Sequence, residues 1–317
     1  MATYVKDSAA PMRPMASAAL QLRRILCPLD FSELSARALD RATQLACASG
    51  AEIQALFVFP IGPLPARGPD HPAQTADAGA RATVARDAER FLHPAREAGA
   101  QVRFSQSAGD AAAEILSAAA AWPADLIVMG THGRGGLERW ILGSVAQAVL
   151  RNARCPVLTV GSARRDEHAA VARDGGGIVC ALENGETSER TLAHALALSR
   201  ATGGEVTLVH VLENLSQYQA AALCARVDWP AFCHEIEREA RERLLRAAEA
   251  AGGGIKDVVV ATGKPYREIL RLADERDAAA IVMGIHGRAS WHLRLFGSNA
   301  EHVVREATCP VLTVRGA

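Results

Sequence analysis

The chain has 317 residues, enough for two domains of average size that each bury a core. Lys+Arg and Asp+Glu are both 35, a formal net charge of +0, so no global field draws in nucleic acid or an anionic membrane and any anion must be bound locally. Hydrophobic residues make up 49% of the chain, yet no apolar run reaches the ~18 to 20 residues of a membrane helix, which excludes a membrane partner of that kind.

Residues 1–22, "MATYVKDSAAPMRPMASAALQL", hold two prolines and no continuous apolar stretch, and read as a disordered tail, with an amphipathic address peptide as the alternative. Strands follow at Arg24 to Leu29, Glu52 to Phe59, Gln101 to Ser107, Leu126 to Met129 and Pro156 to Val160. The connections between them are long enough for helices. In the first, Leu34, Ala38, Leu39, Ala42, Leu45 and Ala46 share one face at helical spacing, with Ser32 placed to cap the start and Gly50 to end it. Alternating strands and helices of this kind predict a parallel sheet covered on both faces, an α/β domain of five strands.

The pattern then repeats. "ILCPLDFSELSARALDRATQLACASGAEIQALFVF" from Ile25 aligns with "IVCALENGETSERTLAHALALSRATGGEVTLVHVL" from Ile178, an offset of 178 − 25 = 153. The later landmarks keep 154: 284 − 130 for the first glycine of a loop, and 309 − 155 for "CPVLTV". One unit used twice explains this. The expected division is a tail over 1–22, a first unit over 23–162, a charged, small-residue linker over 163–176 and a second unit over 177–316.

Seven cysteines, an odd number without close pairing, favour a reducing cytoplasm over an oxidising compartment. Cys27, Cys155, Cys180 and Cys309 fall in or beside apolar runs and are expected to pack as small hydrophobes. "CHE" at Cys233, with Cys224 upstream, lacks the second ligand pair that a zinc site needs.

"VMGTHGRGG" from Val128 and "VMGIHGRAS" from Val282 each follow the fourth strand of a unit. After Gly130 and Gly133 come nine residues and then Gly143-Ser144; after Gly284 and Gly287 come nine residues and then Gly297-Ser298. Ligands of such sheets sit beyond the carboxyl ends of the strands, where strand order reverses. Glycines there let backbone amides approach an anion, and Gly-Ser at a helix start adds exposed N–H groups, a hydroxyl and the positive end of the dipole. Asp30, ending the first strand, is placed to accept from ribose hydroxyls, and its counterpart is Glu183. The bland alternative is that the glycines serve turns and close packing and that Gly-Ser is a plain helix start.

Gly-x-x-Gly, nine residues, then Gly-Ser, with "ILCPLDFS" before and "CPVLTV" after, resembles the ATP-binding class of the universal stress protein family, over Arg23 to Val160 and again Gly177 to Val314. The resemblance implies two Rossmann-like, five-stranded parallel sheets of order 3-2-1-4-5. It further implies that the two fifth strands, "PVLTV" at Pro156 and Pro310, meet antiparallel, so that the halves form an internal pseudo-twofold dimer; bare apolar edges invite such pairing. By matching positions, Asp30 would contact ribose or adenine, Val58 would line the adenine pocket, and Gly130, Gly133, Arg134, Gly143, Ser144 and Val145 would hold the phosphates. The second set is Glu183, Val211, Gly284, Gly287, Arg288, Gly297, Ser298 and Asn299. Pro28 and Leu29 beside Asp30, with Met129, His132 and Met283 at the loops, complete the expected nucleotide-binding positions. Two departures weaken the second site: Glu183 stands for the family's aspartate, and Ala181 for the proline matched by Pro28.

Arg134 and Arg288 read equally as phosphate contacts or as solvated loop arginines. His132 and His286 lack the positioned partner that a general base needs, so loop packing or a hydrogen bond to backbone is expected. The chain contains no G-x-x-x-x-G-K-[ST] loop, G-x-S-x-G elbow or paired-cysteine metal site. The implied protein is an ATP-binding stress-response or regulatory module, not an enzyme, whose occupancy alters contacts with an unidentified protein partner. Mg2+ would accompany the ATP, a homodimer of whole chains is open, and neither nucleic acid nor membrane is a partner. Slow ATP hydrolysis and nucleotide-free docking are the alternatives.

Overall fold

The structure is a computed structural model that describes residues 22–60, 78–132, 142–161, 176–183, 187–213, 228–285 and 297–315. The tail anticipated from the sequence, apart from Leu22, which packs into the core, and the linker, apart from Gly176, lie outside these residues.

The first half runs β1 (Arg24–Leu29), α1 (Glu33–Ser49), β2 (Glu52–Pro60), α2 (Ala78–Glu97), β3 (Gln101–Gly109), α3 (Ala111–Ala121), β4 (Leu126–Gly130), α4 (Ser144–Asn152) and β5 (Val157–Val160). The second half repeats it as β6 (Ile178–Ala181), α5 (Thr187–Thr202), β7 (Val206–Leu212), α6 (Trp229–Ala251), β8 (Ile255–Thr262), α7 (Pro265–Glu275), β9 (Ala280–Ile285), α8 (Ser298–Glu306) and β10 (Val311–Arg315). Helix boundaries follow local chemistry. Ser32 accepts from the Ser35 amide at the start of α1, and Gly50, at φ 73°, closes it with its N–H on the Ala46 carbonyl.

The described strands form one sheet of order β3-β2-β1-β4-β5-β10-β9-β6-β7-β8. Each half is therefore a parallel 3-2-1-4-5 sheet, and the halves join where β5 and β10 run antiparallel. The β2–β3 pairing extends past the anticipated ends, to Phe59 opposite Ala108 and Pro60 opposite Gly109. Strand side chains alternate between two cores. Ile25, Cys27 and Leu29 face α1, α2, α5 and α6 with Leu39, Leu92, Leu192 and Leu244. Leu26, Ile127 and Met129 face α3, α4, α7 and α8 with Ile115, Val149, Ile269 and Val303. Both cores cross the seam, so burial as well as hydrogen bonding joins the halves. Cys27 and Cys180 are fully buried, and burial pushes the Cys27 thiol up to about 12. Cys155 and Cys309 pack at the edge of the second core.

The seam has its own symmetry. Leu158 faces Leu312 at its centre; the Thr159 hydroxyl donates to the Val311 carbonyl, and the Thr313 hydroxyl to the Val157 carbonyl, each at 3.2 Å. Gln147 of α4 reaches Glu301 of α8 at 3.5 Å. One contact breaks the symmetry: the Arg315 guanidinium donates to the Leu150 and Arg151 carbonyls, capping the exposed end of α4 from the other half. The outer edges carry charged residues, with Arg103 paired to Glu52 and Lys256 to Glu205, which discourages further strand pairing. No helix among the described residues is long and apolar enough to cross a membrane.

Candidate functional site

β1 and β4 are neighbours, paired at Ile25 with Leu126 and at Leu26 with Ile127, so their carboxyl ends open onto the same place, the reversal point of the first half. Asp30 leaves β1 half-buried, with Pro28 half-buried and Leu29 buried just before it. Its Oδ1 accepts from the Ser32 amide at 3.0 Å and the Ser32 hydroxyl at 2.6 Å, which orients the carboxylate at the start of α1.

Phe31 between them has φ 60°, a left-handed conformation that costs a non-glycine residue about 1–2 kcal/mol. Its ring offsets that cost by stacking on Phe57 at 5.2 Å and meeting Phe91 edge-on at 5.3 Å, while Phe59 abuts Phe57 at 5.0 Å. Four of the seven phenylalanines thus gather at one end of the sheet. Sequence reasoning missed this cluster; the available signal was Phe57 and Phe59 at the two-residue spacing that puts both on one strand face. Val58 points the other way, half-buried against the α3 and α4 side, as does its counterpart Val211 in β7.

The loop end of β4 is close-packed. A Cβ on Gly130 would lie 3.0 Å from Cβ and 3.3 Å from the backbone carbon of Leu34, so only glycine lets the first turn of α1 close onto β4. Thr131, 2% exposed, donates its N–H to the Val160 carbonyl at 3.0 Å and accepts the Gly143 N–H at 2.8 Å. A Cβ on Gly143 would be 3.0 Å from that same Thr131 oxygen. Gly143 has φ −59°, which any residue adopts, so the glycine is needed for close approach and not for conformation. Its amide is committed to Thr131. The N–H groups left at the start of α4 are those of Ser144, Val145 and Ala146, which lack intrahelical acceptors, and no side chain caps this end among the described residues. Ser144 is exposed and Val145 half-buried, beside buried Met129. The His132 Nδ1 is 2.9 Å from the Thr131 hydroxyl, a side-chain bond where loop packing or a backbone bond was expected, and burial holds the imidazole pKa below its ordinary value.

The second half repeats the frame with looser detail. A Cβ on Gly284 would meet Thr187 Cγ2 at 3.0 Å and Thr191 Oγ1 at 3.1 Å, so α5 closes on β9 as α1 does on β4. At Gly297, however, a Cβ would meet nothing within 4 Å, and no amide bond corresponds to that of Gly143 among the described residues. Ile285 stands in place of Thr131. Glu183 is exposed; the Ser188 hydroxyl donates to its backbone carbonyl. Met283 is buried, Asn299 half-buried and Ser298 exposed. Where the first half has Phe57, the second has His210, whose Nδ1–H donates to the Leu182 carbonyl at 2.8 Å. Gly133, Arg134, His286, Gly287 and Arg288 lie outside the described residues.

The structure brings together Asp30, Gly130, His132, Gly143, Ser144 and Val145 at one sheet end, and Glu183, Gly284, Gly297, Ser298 and Asn299 at the other. The first arrangement can hold an anion: the Ser144, Val145 and Ala146 amides and the positive end of the α4 dipole follow β4 at the reversal point, and the Asp30 carboxylate, of a kind suited to hydroxyl groups, follows the neighbouring β1.

Comparison with known proteins agrees with this geometry. The profile of the Universal stress protein family matches residues 21–161 and 177–315, the two halves of the sheet. Universal stress protein MJ0531 of Methanocaldococcus jannaschii is 36% identical over 149 residues, 45% of this chain and 85% of the relative. Universal stress protein Rv2005c of Mycobacterium tuberculosis is 28% identical over 192 residues, 61% of this chain and 62% of that protein, so less than two thirds of its length is matched. Among solved structures, a universal stress protein from Archaeoglobus fulgidus superposes with a TM-score of 0.65 at 24% identity, covering 93% of this chain and 99% of the other. The functionally unknown protein PA1789 from Pseudomonas aeruginosa superposes with a TM-score of 0.64 at 21% identity, covering 94% of both chains. These two structures speak to the fold. With its family pattern matched twice and its paired 3-2-1-4-5 sheets, this chain belongs to the universal stress protein family.

Proposed function

We propose that the chain is an ATP-binding regulatory protein, acting in the stress response, whose first half takes the nucleotide in preference to its second. The observation that carries the reading is the clamp at Gly143: the Thr131 carbonyl holds the helix start so closely that any Cβ there would be overpacked, and the Ser144, Val145 and Ala146 amides beyond it have no side-chain cap among the described residues. Asp30, at the reversal point, supplies a carboxylate for the ribose hydroxyls and Val58 an apolar wall for the base; Gly133 and Arg134, expected from the sequence as phosphate contacts, lie outside the described residues. Mg2+ would accompany the triphosphate. In the second half, the unclamped Gly297 and exposed Glu183 support weaker binding.

The triphosphate contributes negative charge at a loop that leads into α4, and α4 carries that constraint to the second half through Gln147 and through the Arg315 cap. Occupancy would thereby alter the surface offered to a protein partner. The units are 23–162 and 177–316, and the free thiols Cys27, Cys47, Cys155, Cys180, Cys233 and Cys309 fit a reducing cytoplasm. The test is nucleotide released by acid from the purified protein, together with a thermal shift on adding Mg-ATP. A stabilising shift is expected; an empty protein that ATP does not stabilise overturns the reading.

A further inference from the structure

The cradle contains a polar atom that the fold leaves unsatisfied. Thr131 is bonded on three sides: through its N–H to Val160, through its carbonyl to Gly143 and through its hydroxyl to the His132 ring at 2.9 Å. That last bond fixes the imidazole by Nδ1. Nε2 is buried and has no hydrogen-bond partner among the described residues. The backbone of His132 lies against both glycines of the site, its carbonyl oxygen 3.4 Å from a Cβ on Gly130 and its Cα 3.5 Å from a Cβ on Gly143. A buried ring nitrogen with no partner is costly, and a site that holds one beside an uncapped helix start is built for a group that is absent until ligand arrives.

We infer that His132 donates its Nε2–H to a phosphate oxygen of the bound nucleotide and that binding draws a proton from solvent onto this ring. The inference rests on the nucleotide reading above. In the imidazolium both nitrogens donate, Nδ1–H to a Thr131 hydroxyl rotated to accept and Nε2–H to the phosphate, and the charge-assisted bond is the stronger. Burial disfavours the imidazolium in the free protein and lowers the ring's pKa. The charged groups at this end of β1 and α1 are Asp30, bonded to Ser32, and Glu33, paired with Arg37. β4, β5 and the first turn of α4 contribute none, and Glu306 of the second half is held by His302 and Arg305. Arg134, Glu138 and Arg139 of the intervening segment lie outside the described residues.

The sign follows from the ring's two states. Phosphate raises the ring's pKa, so the added affinity is complete below the free-state value and fades as pH rises through the bound-state value. Each unit of rise is a tenfold gain in affinity. The experiment titrates full-length protein with ATP from pH 5.5 to 8.5 for the wild type, His132→Gln and His132→Ala. Gln keeps an N–H donor but cannot titrate, so it subtracts the ligand's own ionisation. The wild type should gain about tenfold in affinity from pH 8 to 5.5 beyond any gain of His132→Gln, and calorimetry in buffers of different ionisation heat should show proton uptake in the wild type alone. Should the variants fail to fold, the His132 pKa read by NMR must rise on adding ATP to the wild type. Identical pH profiles, or an unmoved His132 pKa on a protein that binds ATP, overturn this inference and leave the nucleotide reading standing. Absence of ATP binding at every pH overturns both.

Discussion

Replacing Gly143 and Gly297 in turn by alanine sets two sequence-equivalent positions against each other. At Gly143 the new methyl would sit 3.0 Å from the Thr131 oxygen, where ordinary contact begins at 3.4 Å, so the start of α4 must retreat by about 0.4 Å or lengthen the 2.8 Å bond from its amide. Overpacking of this kind costs about 1–3 kcal/mol. Alanine is also a poorer N-cap than glycine, by up to about 1 kcal/mol. At Gly297 only the cap loss applies, because nothing lies within 4 Å of the new methyl. The difference between the two variants therefore isolates the clamp, at about 1–3 kcal/mol, or roughly tenfold or more in an equilibrium constant. Isothermal titration with ATP, with urea unfolding to separate lost affinity from lost stability, measures it. Gly143→Ala should weaken ATP binding about tenfold while Gly297→Ala leaves it within about twofold. Equal effects at the two positions would refute the argument that the first helix start is clamped and the second is not.

Other expectations follow from individual contacts. Asp30→Ala removes both the proposed ribose acceptor and the bonds to Ser32, so ATP affinity should fall tenfold or more and stability by about 1 kcal/mol, read by titration and urea unfolding. Phe31→Gly should be at least as stable as Phe31→Ala, inverting the usual order, because the backbone there has φ 60° and glycine relieves about 1 kcal/mol of strain; an alanine variant clearly the more stable would contradict that conformation. At the seam, Thr159→Val and Thr313→Val each delete one buried hydroxyl bond and should cost about 1 kcal/mol apiece, and nearly equally, whereas Arg315→Ala uncaps the end of α4, a contact that no residue of the first half returns among the described residues. His132, His194 and His210 all titrate below the ordinary histidine value because burial disfavours the imidazolium. The unfolded chain then binds protons first, so stability should hold above about pH 6.5 and fall as pH drops toward the folded-state values. Asp257, held low by its bond to Arg276, acts only at more acid pH, so urea midpoints between pH 7.5 and 5 read the histidines; a flat profile would contradict their burial.

The fold was legible because its causes are local or periodic. Ser32 and Gly50 mark α1 by their capping chemistry, and the offsets of 153 and 154 disclose the second copy before any contact is known. The antiparallel meeting of β5 and β10 followed from family likeness and from the apolar edge of "PVLTV", and Thr159 and Thr313 supply the bonds that complete it. What the sequence hid depends on distances between remote segments. That Gly143 serves close approach and spends its amide on Thr131 is a matter of tenths of an ångström. The inequality of Gly143 and Gly297 is invisible in two identical Gly-Ser pairs, since it comes from the different neighbours of the two glycines among the described residues. The Phe31 cluster likewise joins β1, β2 and α2, and the Arg315 cap joins opposite halves. His132 illustrates both sides: its place between two glycines is plain from the sequence, whereas the bond to Thr131 and the unpartnered Nε2 require coordinates.

Native mass spectrometry of the full chain titrated with ATP, counting nucleotides per chain, tests the central claim most directly. The account predicts that a first ATP binds at lower concentration than any second, needs about tenfold more nucleotide in Gly143→Ala and is unchanged in Gly297→Ala. A chain that takes up no ATP at millimolar concentration, or whose first ATP is unchanged in Gly143→Ala and weakened in Gly297→Ala, would contradict it.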